Sequence, residues 1–233
     1  MNPKLPTFYK IIPILAAILF AAPVFAHRVN PEGLFRRVTY ECPEDSVFVA
    51  GFEEYFSPDQ NFTKKMKLFF EATILRGLQR LSGINGELAQ KAEKALLEND
   101  LIVSCKAPPN SPIAAFQRGG WWSDSKIYLG SAAWAVYSLH KKYGPPIGDY
   151  IHFVEQRTDE GISFNLSTTF HEFLHFTAID NLPTAQHNSL HIYNLQFWDD
   201  LVYSCTNAVY GNSEWFKSAE ERRLALTKCK TGQ

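Results

Sequence analysis

His171-Glu172-Phe173-Leu174-His175 is the stretch whose residue types and spacing could do chemistry. On an α-helix, positions i and i+4 lie one above the other, so the two imidazoles point the same way. Imidazoles at that spacing can hold one Zn²⁺, with Glu172 one residue round the helix, near a metal-bound water. The filling residues are apolar, Thr168-Thr169-Phe170 precede them, and no proline interrupts the run, so a helix is expected. Such a zinc ion lowers the pKa of its water to about 7 and polarises a carbonyl. Glu172 would take the water's proton as it attacks and deliver it to the leaving amine.

A catalytic zinc needs a third protein ligand and an open position. Asp180, His187, His191, Asp199 and Asp200 are the candidates downstream. At about 100° per residue, a continuing helix carries Asp180 roughly opposite the histidines, so Asp180 ligates only if the chain breaks directly after His175. His187 follows the Pro183 turn on a segment free to fold back, and the expected metal set is therefore His171, His175 and His187. His191 and the Asp199-Asp200 pair could instead accept a ligand's N–H and orient it. The developing oxyanion needs a further donor, for which Tyr193 is favoured over Tyr203 because it lies closer to His187. The plainer alternative for each residue is burial in a core or exposure on a solvated loop.

Several elements must position these groups. Thr168–Ile179 is the expected site helix, capped by Asn165 or Ser167 and stopped by Asn181-Leu182-Pro183. Asn194–Ala208 is amphipathic, with Leu195, Trp198, Leu201, Val202 and Cys205 on one stripe, and Ser213–Lys228 reads as a last helix. Upstream, Phe62–Leu81 and Gly86–Glu98 have helical periodicity and are separated by a break at Ser82-Gly83. Short strands are expected at Val38–Cys42, Val47–Phe52, Ile102–Cys105 and Lys126–Gly130, with a helix over Ala132–His140. Trp121-Trp122 could line a cleft. The fold class is α+β, mainly helical, in a single domain with a short sheet.

The chain has 233 residues and a net charge of −1. Its start, with Lys4 and Lys10 before the apolar run Ile11–Pro23 and small residues ending at Ala26, predicts a secretory signal peptide over residues 1–26. The apolar run is shorter than the roughly 20 residues of a spanning helix. Cleavage after Ala26 leaves His27–Gln233, slightly acidic, with no basic patch for nucleic acid or an anionic membrane. The chain is thus expected to be secreted or periplasmic. Its four cysteines then predict two disulfides, with Cys42–Cys105 and Cys205–Cys229 favoured because each joins neighbouring parts of one half.

The His-Glu-x-x-His helix followed by a turn towards a third ligand resembles the zincin metallopeptidases. Ile127–Phe176 (a short IYLG strand, a helix, then TTFHEFLHF) and Asp200-Leu201-Val202-Tyr203 are most similar to the deuterolysin and lysine-specific metalloendopeptidase group, the aspzincins. That resemblance implies a zincin-like domain in which His171 and His175 are ligands and Glu172 is the base. The family's third ligand is an aspartate after Gly-Thr, a context missing here, and that position is not carried over. Nor does the chain have the metzincin continuation, since Ala178 stands at its glycine and Asn181 at its third histidine.

The expected activity is that of an exported zinc-dependent endopeptidase with one ion, acting on proteins or peptides, cell-wall peptides included. The alternative is an exported binding or structural domain whose histidine cluster is incidental or sequesters metal.

Overall fold

The computed structural model describes residues 28–42, 47–49, 54–56, 62–106, 115–117, 125–130, 162–178, 200–211 and 218–232. The elements in chain order are β1 (Val38–Glu41), β2 (Val47–Val49), β3 (Glu54–Phe56), α1 (Phe62–Ile84), α2 (Gly86–Glu98), β4 (Leu101–Ser104), β5 (Ala115–Gln117), β6 (Ser125–Tyr128), α3 (Ile162–Phe176), α4 (Leu201–Tyr210) and α5 (Ala219–Thr231). The fold is α+β and mainly helical, as expected.

The sheet has the order β1-β4-β6-β5. Its first three strands are parallel, and β5 closes one edge antiparallel to β6. A parallel β1–β4 pair requires a long crossover, and the α1–α2 hairpin lies within it. In the register Glu41 faces Ser104, so Cys42 and Cys105 are the next pair along; they form a disulfide with Cα atoms 4.9 Å apart. Val47–Val49, expected as part of one longer strand, pairs instead with β3 in a separate antiparallel ribbon. Neither β3 nor β5 is among the strands that the sequence pattern marks.

α1 buries Met66, Phe69, Phe70, Ile74, Leu78 and Leu81, the recurrence of an amphipathic helix. These pack with Ala89, Ala92 and Leu96 of α2 and with Leu101, Val103 and Ile127 of the sheet. The break expected at Ser82-Gly83 does not occur, and α1 runs on to Ile84. Ser82 is buried there, and Asn85 does the separating. The Asn85 N–H donates to the Leu81 carbonyl at 2.7 Å, while its side chain accepts from the Leu88 N–H at 3.1 Å. One residue thus ends α1 and caps α2.

α5 begins at Ala219, later than expected, because Ser218 and Glu221 form a capping box. The Cys205–Cys229 disulfide ties α5 to α4. Among the described residues no helix is long and apolar enough to cross a membrane. Residues 1–27 and the helix expected over Ala132–His140 lie outside those described, as do Trp121 and Trp122.

Candidate metal centre

α3 packs against α1, α4, β5 and β6, and every residue from Leu166 to Leu174 is buried. Surroundings of this kind override local signals, and both ends of the helix differ from expectation. Asn165 and Ser167, expected as caps, lie inside α3, which starts at Ile162. Capping preference is weaker than the gain from burying residues such as Leu166 and Phe170 in the helix. At the other end α3 stops at Phe176, short of the proline turn. The Ala178 N–H donates to the His175 carbonyl at 3.1 Å, and Ala178 takes a left-handed conformation with φ 50°. Lys91 of α2 donates to the Ala178 carbonyl at 2.8 Å and so fixes the exit from outside the helix.

His171 and His175 project from successive turns with their Nε2 atoms 3.1 Å apart. Their rings meet edge to face, with centroids 4.7 Å apart. Two imidazole lone pairs repel at that range unless a cation or a proton lies between them. A proton gives an N–H···N hydrogen bond. A zinc ion, which takes imidazole nitrogens as ligands, could be held by both and would relieve the same repulsion. The pair therefore fits zinc. His171 is 1 % exposed, whereas His175 is half-buried and forms the open side.

Glu172, adjacent in sequence, is buried as well. Its neighbour across the helix interface is Tyr203 of α4, whose ring lies 4.5 Å from that of His171. Burial, followed by the Asp200 and Glu172 carboxylates, pushes the Tyr203 phenol far above its ordinary range. Tyr203 is thus a neutral phenol able to donate a hydrogen bond. Asp200, weighed as a ligand or ligand partner, caps α4: its backbone is extended and its Oδ1 accepts the Tyr203 N–H at 2.9 Å. A helix running unbroken through Asn194–Ala208 is therefore ruled out at Asp200. On α3 the Thr168 and Thr169 hydroxyls are buried with no hydrogen-bond partner among the described residues.

The site thus brings together His171, Glu172, His175, Asp200 and Tyr203. Asp180, His187, His191, Asp199 and Tyr193 lie outside the described residues, and among those described no three His, Cys, Asp or Glu side chains are grouped to hold a metal ion. The early end of α3 bears on Asp180 nonetheless, because the continuous helix that would carry it away from the histidines does not exist.

Two positioning residues have no sequence signal of their own. A side chain on Gly77 of α1 would meet the Phe170 ring of α3 at 2.3 Å, so only glycine lets the two helices approach this closely. Tyr210, at the end of α4, packs edge-on against Phe170 at 5.5 Å and donates its hydroxyl to the Thr73 carbonyl of α1. Compared with protein-family models, with curated proteins and with solved structures, the chain finds no match.

Proposed function

We propose that the chain is an exported zinc-dependent peptidase with a zincin-like site. The observation that carries this reading is the 3.1 Å approach of the His171 and His175 Nε2 atoms beside a buried Glu172. His171 and His175 would hold the ion with His187 or Asp180 as the third ligand. Bound zinc supplies Lewis acidity, polarising a carbonyl and making water more acidic. Glu172 receives the proton of the attacking water and passes it to the leaving nitrogen. Its burial limits the access of bulk water to that proton. Tyr193, or the neutral phenol of Tyr203, donates to the developing oxyanion.

A peptide substrate is supported by β5. This strand packs on α3, and its outer edge has no partner strand among the described residues. An extended peptide can pair along such an edge through main-chain hydrogen bonds. The two disulfides fit an oxidising compartment, which supports export.

The test is metal content together with the Glu172→Gln variant. Purified protein should hold one zinc per chain, removable by chelator. Glu172→Gln should keep the metal and lose about 10²–10⁴-fold in peptide hydrolysis, and full activity in that variant would sink the mechanism. Parallel Asp180→Ala and His187→Ala variants identify the third ligand as the one whose loss weakens zinc binding.

The same 3.1 Å contact also supports a second reading, a non-catalytic binding or structural domain in which His171 and His175 share a proton. A protein that purifies without metal and whose melting temperature is unchanged by added zinc would favour it.

A further inference from the structure

We infer that Tyr203 is the positioning residue for the histidine pair, its ring fixing the plane in which His171 presents Nε2 towards His175. The inference rests on the metal site proposed above. His171 is flanked on one side by the His175 ring at 4.7 Å and on another by the Tyr203 ring at 4.5 Å, tilted by 54°. Both His171 and Tyr203 are buried, so neither ring can swing out into water.

The helix that carries Tyr203 is itself tied at several points. Its N–H is bound by the Asp200 carboxylate at 2.9 Å, and two residues on, Cys205 is disulfide-bonded to α5. At the far end of α4, Arg80 donates to the Val209 carbonyl at 3.3 Å and lies over the Tyr210 ring at 5.3 Å. The His171 ring therefore packs against a ring carried on a helix that is fastened to its neighbours. His175 has a more open environment than His171. A ligand locked before the ion arrives loses less freedom on binding, and this raises metal affinity.

Two variants of the full mature chain, with its disulfides intact, separate ring from hydroxyl. Tyr203→Phe keeps the ring, and Tyr203→Leu removes it while leaving a smaller apolar side chain. Zinc affinity is measured by competition with a chromophoric chelator. In metal-free protein the His171 ring signals are followed by long-range ¹H–¹⁵N NMR, and far-UV circular dichroism monitors the helices. Tyr203→Phe should bind zinc within about threefold of the parent, while Tyr203→Leu should lose on the order of 10–100-fold. The His171 ring protons should move out of their ring-current-shifted positions only in Tyr203→Leu.

Parent-like affinity and parent-like His171 signals in Tyr203→Leu would overturn the inference, as would equal losses in both variants, which would assign the effect to the hydroxyl. If the parent binds no zinc, the peptidase reading fails by itself. The His171 signals in the same samples still decide whether Tyr203 sets that ring.

Discussion

α3 and α5 are helices of similar length, 15 and 13 residues, formed for opposite reasons. α5 is specified by its own sequence. It has a capping box at Ser218 and Glu221, acids in its first turn, Lys228 and Lys230 in its last and Gly232 in the left-handed conformation beyond. Its solvent face is laced by Arg223 and Glu220, 2.6 Å apart, and only Ala225 and Cys229 are buried. α3 has no acid in its first turn, buries a continuous run of residues and ends where a lysine from another helix meets its exit. A helix that only has to cover a surface can be written locally. One that must hold two nitrogens 3.1 Å apart takes its precision from its neighbours.

That contrast predicts where damage will be greatest. Phe170→Ala should be the most destabilising of these changes, by about 3–5 kcal/mol, since the ring fills the space between Gly77 and Tyr210. Chemical denaturation of the oxidised protein measures it, and zinc affinity should fall along with stability.

Gly77→Ala should come next. The change normally gains about 1 kcal/mol within a helix, but the 2.3 Å overlap with a buried ring reverses the sign, with overpacking of about 1–3 kcal/mol. Gly83 lies in the same helix with nothing within 4 Å of an added side chain, so Gly83→Ala is the control and should stabilise. A stabilised Gly77→Ala would mean that α1 does not set the position of α3. Ser218→Ala should cost least, about 1 kcal/mol for the lost cap, and should leave zinc binding untouched. A change in metal affinity there would erase the distinction between the two helices.

The pairing of His171 with His175 was legible because helical periodicity alone puts i and i+4 together. The ends of α3 were not, since its exit depends on Lys91, far away in the chain, and its course on packing against other elements. Gly77 could be read only as a weak point in a helix, because its reason is a ring on another helix. β5 has three residues, too few for an alternating pattern to register. Tyr203 was weighed below Tyr193 on closeness in sequence to His187, whereas its place against His171 comes from the packing of α4 on α3. Both disulfides followed the expectation that each half closes on itself, and the β1–β4 register supplies the reason for the first.

Those two disulfides span separations of 63 and 24 residues and do not overlap along the chain. If the chain is exported amino terminus first, as proposed above, Cys42 and Cys105 would enter the oxidising compartment before either other cysteine. The first bond can therefore form with only its native partner at hand, closing the parallel strands round their helical hairpin while the histidine-bearing half is still being delivered. Such a chain would need no reshuffling of sulfurs, and the second bond would fasten α5 to α4 once the site residues have already emerged.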